Sequence, residues 1–309
     1  MWMRSVGLEV DAAKRWRALV PLFLLAACTG GTPESMDAAG SAGEESGADG
    51  PQLILILDVD ETLPRLDNFG EPADEIPPGH AAQHPRFRTI GASWGELVPT
   101  AYTPLGGGTE LFDTPRREEA HEYAALPKPS PGEVLVSVPF SALEPGSYEY
   151  LRLALAFQRY EVEGHALYMG IDVTADVDIA SFVDDELYID RFDIGDTEVQ
   201  VDAVKTQGYY AAWTQYTGVV QGQVPVGATT VPNPLDASSP IPVDSCVVTG
   251  VFDAPMVVTG DESEDRVVRI TMSTNRSFEW QDLNDDGLWQ PFDEPVADMG
   301  LRGMQLVVE

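Results

Sequence analysis

The strongest constraint in this 309-residue chain is a period of two. Between positions 150 and 160, apolar residues fall on every second position, with Leu151, Leu153, Leu155 and Phe157 on one face. A strand sends successive side chains to opposite faces, so this spacing predicts a β-strand buried on one side. Shorter runs of the same character lie at 53–58, 134–140, 166–173, 179–189, 198–204, 209–220, 246–252, 266–274 and 304–308. Turn formers separate them, among them Pro77-Pro78-Gly79, Pro145-Gly146 and the stretch 225–242. Short strands punctuated by Gly and Pro predict an all-β sandwich or barrel. Beyond the N-terminus, one short helix is expected at 115–125, and no repeat is evident.

Residues 29–50 carry no large apolar side chain except Met36 and are rich in Gly, Ser, Ala and Glu. That is the composition of a flexible tether, with a root-mean-square span of roughly 25 Å. The globular part is therefore expected at 51–309, as one domain or two packed subdomains. Ahead of the tether, Lys14, Arg15 and Arg17 precede the apolar stretch ALVPLFLL at 18–25. This stretch is far shorter than the roughly 20 residues that span a bilayer. It reads as the core of a signal peptide covering 1–27.

Leu25-Ala26-Ala27-Cys28 closes that segment and resembles the lipobox of bacterial lipoproteins. The resemblance implies cleavage after residue 27 and a diacylglycerol on the Cys28 thiol, which would anchor the chain to a membrane. Thr29 stands where Asp would resemble an inner-membrane retention signal, so the expected location is the cell envelope, on the outer membrane. The sequence as a whole resembles Gram-negative lipoproteins, a likeness that implies no activity.

Lipidation of Cys28 leaves Cys246 as the other cysteine. No intramolecular disulfide is then available, and stability must come from an ordinary core or a metal. Cys246 sits in the apolar run SCVVTGVF and is expected to be a buried structural thiol. The formal net charge is −33, and removing a segment with four basic and two acidic residues makes it −35. Such a surface repels nucleic acid and attracts cations.

Leu143-Glu144-Pro145-Gly146-Ser147-Tyr148 leads into the alternating strand. It resembles the tyrosine corner, in which a Tyr returns its hydroxyl to the backbone just upstream. The resemblance implies an antiparallel Greek-key β-sandwich, immunoglobulin-like or jelly-roll-like, with few short helices. The same turn and strand, P-G-x-Y-x-x-L-R at 145–152, resemble periplasmic copper-associated MbnP-like domains over about ten residues. No site residue transfers from so short a match.

The sharpest chemical motif lies at 282–293, DLNDDGLWQPFD. Calcium takes hard oxygen ligands from alternate loop positions, and a Gly at position six allows the sharp turn. Asp282, Asn284 and Asp286 fill positions one, three and five, with Gly287 at six. The Leu288 carbonyl, Gln290 and Asp293 fill seven, nine and twelve. The stretch resembles EF-hand-like calcium loops, particularly the dockerin type that ends in Asp. Trp289 and the short terminal Asp depart from the EF-hand, although Glu294 is adjacent, and the preceding residues read as a strand. An ion is implied rather than an EF-hand fold, and its expected role is structural. The alternative is a metal-free acidic loop joining two strands.

Leu55-Ile56-Leu57-Asp58-Val59-Asp60-Glu61-Thr62 matches D-x-D-x-T after an apolar strand. It resembles the first motif of haloacid-dehalogenase-type phosphatases. That would make Asp58 the nucleophile and Asp60 the acid/base, with Mg²⁺ holding the phosphate. The family also implies alternating helices and a lysine ahead of a late acidic pair. Asp184-Asp185 is present, but Lys128 lies in a Pro-rich stretch and Lys205 comes after the pair. A cation site at Asp184, Asp185 and Glu186 is a further option. His80 and His84 are bracketed by prolines and expected in a loop, with His121 and His165 distant. Gly106-Gly107-Gly108 lacks the Lys of a phosphate loop and reads as a turn.

Together these features describe a lipid-anchored, calcium-stabilised β-sandwich whose role is binding or surface interaction, with no ligand specified. Trp94, Tyr209, Tyr210, Trp213 and Trp289 are candidates for a carbohydrate or protein platform, with core packing the commoner use of such residues.

Overall fold

A computed structural model describes residues 50–67, 70–114, 126–183, 188–202, 208–224, 246–291, 293–301 and 303–309. Cys28, the helix expected at 115–125, and Asp184, Asp185, Glu186 and Lys205 lie outside them. Ala48–Glu309 forms one compact unit. The fold is all-β, with sheets of predominantly antiparallel strands and, among the described residues, a single 3-10 turn at Phe140–Ala142.

The alternating run forms the middle of the spine strand. In chain order the strands are β1 (Gln52–Asp60), β2 (His80–Gln83), β3 (Arg86–Val98), β4 (Thr109–Asp113), β5 (Glu133–Pro139) and β6 (Gly146–Tyr168). There follow β7 (Ile171–Phe182), β8 (Arg191–Ile194), β9 (Thr197–Gln200), β10 (Tyr209–Thr214) and β11 (Gly218–Gln223). The last are β12 (Cys246–Val258), β13 (Arg266–Ser273), β14 (Phe278–Gln281), β15 (Val296–Met299) and β16 (Met304–Val308).

Two neighbours share one edge of β6. β12 pairs with its first part, up to Leu155, and β7 takes over from Phe157 onward. β3 runs along the other edge, facing both. The first half of β6 thus belongs to a sheet ordered β4-β3-β6-β12-β16-β13-β1-β5. Within it β12/β16 and β1/β13 run parallel, an addition to the otherwise antiparallel pairing. All eight strands contribute to one core, with Leu53, Leu55 and Leu57 meeting Leu151, Leu153, Leu155, Val268 and Ile270. Cys246 is buried in this core, as its apolar run predicts.

The second half of β6 joins β7, β10 and β11, and this sheet is covered on both faces. The hairpin β8-β9 packs Phe192, Ile194 and Val199 onto Phe157, Ala180 and Phe182. On the opposite face Tyr160, Val162, Val177 and Ile179 meet Phe278, Trp280 and Met299 of the three-stranded sheet β15-β14-β2. Period two explains the division, since residues 177 and 179 of β7 point one way and 180 and 182 the other.

Several sequence boundaries move. The run 166–173 is a hairpin turn, with Met169 and Gly170 at positive φ, and 209–220 is two strands around a turn. The strand expected to reach 189 ends at Phe182. His80 lies in strand β2 rather than in a loop, because β14 supplies it with a hydrogen-bonding edge.

A candidate ligand-binding cleft and its acidic loop

The sheet β6-β7-β10-β11 extends beyond the cover of β15-β14-β2. There it leaves a cleft of about 450 Å³. Its floor is the face carrying Val173, Ala175 and Val177 of β7 with Tyr210 and Ala212 of β10. Short side chains at Ala175 and Ala212 recess the floor between larger neighbours. The facing wall is loop 282–294, through Trp289, Pro291, Asp293 and Glu294.

Two contacts hold that wall against β6. The backbone N–H of His165 donates to the Trp289 carbonyl at 2.7 Å. Pro291 packs on Gly164, where a Cβ would stand 2.7 Å from Val177 and 3.1 Å from Pro291. Trp289 is buried, its indole N–H donating to the Glu294 carbonyl at 3.3 Å and its ring meeting Phe278 at 4.7 Å between centroids. Tyr210 and Trp289, both candidates for a platform, therefore meet at this cleft. Trp94 and Tyr209 are core residues, and Trp213 lines a polar groove on the sheet's other face with Arg159 and Asp178.

The loop is tightly folded on its own carboxylates. Asp282 accepts the N–H groups of Asp286 at 3.1 Å and Gly287 at 2.8 Å, and Asp286 accepts that of Leu288 at 2.8 Å. The side-chain amides of Asn284 and Gln290 both donate to Asp286, at 2.8 and 3.1 Å. Asp285 and Gly287 adopt positive φ, the Gly at the position where the loop turns. The Leu288 amide, the side-chain amides and the His165 charge hold the Asp286 carboxyl below its ordinary range.

Side chains at positions one, three, five and nine thus gather in the loop, with the amide nitrogens of Asn284 and Gln290 rather than their oxygens facing Asp286. Asp293, at position twelve, is exposed at the cleft. The neighbouring Glu294 is buried and accepts the N–H groups of Leu283 at 2.9 Å and Gln290 at 3.0 Å, clamping the loop's two ends. Among the described residues no three His, Cys, Asp or Glu side chains converge as a metal-ligand set. The donor types fit calcium, and a full set requires the Asn284 and Gln290 amides to present their oxygens and Asp293 to join them.

The other motifs have local explanations. Asp58 and Asp60 lie on the face of β1 opposite its buried leucines. Asp58 faces Arg269 at 3.4 Å, while Asp60 accepts the amide and hydroxyl of Thr62, both at 2.7 Å. The helices implied by the phosphatase resemblance are absent among the described residues. His80 pairs with buried Glu279 at 2.6 Å, and His84 accepts the Arg276 N–H at 3.2 Å. The triple glycine does cradle an anion, but an internal one. Gly106 and Gly108 donate to the buried Glu96 carboxylate at 3.2 and 2.8 Å, and Arg152 donates to it at 3.0 Å.

Tyr216 and Val220 at the cleft mouth, with the recessed Ala175 and Ala212, are site residues that sequence reasoning misses. Only the pairing of β7 with β10 and β11 brings them together. No family model matches the chain, and neither a curated protein nor a solved structure does.

Proposed function

We propose that this chain is a lipid-anchored envelope protein of the outer membrane that binds a small apolar ligand in the cleft beside loop 282–294. The observation that carries this is the cleft itself, an apolar-walled cavity of about 450 Å³ with few polar groups. Small-molecule sites have this size and character. Calcium is the proposed partner of the loop, held by Asp282, Asn284, Asp286, the Leu288 carbonyl, Gln290 and Asp293. Its role would be to fix the cleft's wall. The anchor is Cys28, and the acidic surface argues against nucleic acid as a partner.

The test is a titration of the Ala48–Glu309 unit with N-phenyl-1-naphthylamine, an uncharged probe that fluoresces in apolar sites. Saturable binding of one equivalent is expected, lost in both Ala212→Phe and Ala175→Phe, which fill the floor. A probe that does not saturate, or that binds both folded variants as well as the parent, overturns the proposal.

A further inference from the structure

The polar groups around the cleft specify the ligand's charge. Among the described residues that line it there is no Lys or Arg. The ionisable side chains there are His165, Asp293, Glu294 and the phenols of Tyr210 and Tyr216. His165 is already engaged by Glu163 at 3.3 Å and by the Thr174 hydroxyl at 3.1 Å. Its ring is thus already occupied by the protein's own groups. Asp293 is exposed on the wall. An anionic head group entering the cleft would meet carboxylates with no guanidinium or ammonium to receive it. The chain's net charge of −33 adds long-range repulsion.

A cationic head group meets the reverse. While the loop holds no calcium, Asp293 offers an exposed carboxylate, and three aromatic residues, Tyr210, Tyr216 and Trp289, line the same cavity. Aromatic rings attract ammonium ions through their quadrupole, and more strongly where water is displaced. The apolar floor accepts hydrocarbon. We infer that the cleft takes an amphiphilic cation, an alkyl or aryl chain ending in an ammonium group. This deepens the proposed function and rests on the cleft being a ligand site.

The experiment, run in EDTA so that no calcium occupies Asp293, displaces bound N-phenyl-1-naphthylamine from the Ala48–Glu309 unit at pH 7.5 with decylamine, decanol and decanoate, all below their aggregation limits. Decylamine is expected to displace the probe at a concentration about tenfold lower than decanoate, with decanol between them. Asp293→Asn should shrink that gap severalfold, while 1 M salt should shrink it further by screening. Equal displacement by amine and carboxylate, or preference for decanoate, overturns the inference and leaves the apolar site standing. Absence of saturable probe binding in the parent unit removes both. A gap unchanged in Asp293→Asn and in high salt also overturns the inference, since the selectivity would then not be electrostatic.

Discussion

The hydroxyl of Tyr148 donates to the backbone carbonyl of Glu144 at 2.6 Å and meets the Thr109 hydroxyl at 2.7 Å. One phenol therefore ties the turn into β6 to the start of β4. The turn residues match the motif in the sequence, and Leu143 beside them is buried in the main core. Replacing Tyr148 by Phe keeps the ring and removes both bonds. The expected loss is about 1–1.5 kcal/mol, the usual net worth of such bonds plus the cost of an orphaned partner. Denaturant unfolding measures it, and a Thr109→Val background should reduce the effect because that partner is already gone.

The Glu96–Arg152 pair predicts a larger effect. Both side chains are buried, and Glu96 also receives the amides of Gly106 and Gly108. Glu96→Ala leaves a guanidinium buried without its carboxylate, at a cost of about 3–5 kcal/mol. Replacing both residues by Met should cost less than that single change, because no charge is stranded. Gly108→Ala should be as damaging as Glu96→Ala, since a Cβ there would lie 2.2 Å from the Leu97 carbonyl oxygen. Unfolding midpoints of the three variants decide the order.

These two relationships differ in how far sequence announces them. The tyrosine corner is local: six consecutive residues carry it, and the strand that follows keeps its alternation although both faces are buried. Large apolar residues 151, 153 and 155 face the main core, while Arg152, Ala154 and Ala156 fill the other side. β3 gives no such signal. From Ile90 to Val98 it is buried on both faces, so alternation disappears, and Gly91, Ser93, Gly95 and Glu96 interrupt the apolar pattern. Gly91 and Gly95 are there for space, because Leu126 and Phe112 occupy the positions where a Cβ would go. Glu96 reads as a surface residue until Arg152 and the glycine loop are brought to it by pairing with β6.

The candidate site divides in the same way. The acidic loop is legible because residues 282–290 fold on one another, down to the positive φ of Gly287. The cleft is not, because its floor comes from strand neighbours more than 30 residues apart, as in the pairing of Ala212 with Ile179. Glu294 shows the limit within the loop itself. Spacing makes it a spare ligand, whereas burial turns its carboxylate onto two backbone amides.

The exposed carboxylates that accept local hydrogen bonds should resist protonation longest as pH falls. Asp60 is held below its ordinary value of 3.8 by the Thr62 hydroxyl and amide, and Asp286 below the same value chiefly by the Leu288 amide. A carboxyl lowered in the folded state stabilises the fold at pH above its unfolded value, and that support is lost as pH falls through the folded value. Neither group should affect stability between about pH 5 and 8. Carboxyl carbon shifts followed by NMR should give midpoints below 3.8 for both. A midpoint at or above that value would mean the observed bonds do not persist in solution.

Anchoring is expected to depend on one atom. If Cys28 carries the lipid, cells expressing the wild-type chain should hold it in the membrane fraction, and mass spectrometry should find a diacyl group on the residue that becomes the N-terminus. Cys28→Ser should lose the acyl mass and the N-terminal processing. An unchanged mass in the variant would show that the thiol is not the attachment point.

Calcium should stiffen the wall of the cleft. In loop 282–293 the Asp286 carboxylate is held by two amide side chains, so an ion must displace those donors and turn their oxygens inward. That exchange makes the effect modest, as for extracellular sites with dissociation constants of about 10⁻⁴–10⁻³ M. Saturating calcium at about 100 times such a constant would add up to roughly 2.7 kcal/mol, and chelator should remove it as a lowered melting temperature. Asp286→Ala should melt at one temperature with or without EDTA, while Asp58→Asn should keep the full chelator response. Calcium should also tighten probe binding in the cleft, because Trp289 and Asp293 belong to both loop and wall. A melting curve of the parent unit that EDTA leaves unchanged would mean that Glu294, accepting the Leu283 and Gln290 amides, already supplies the closure proposed for the ion.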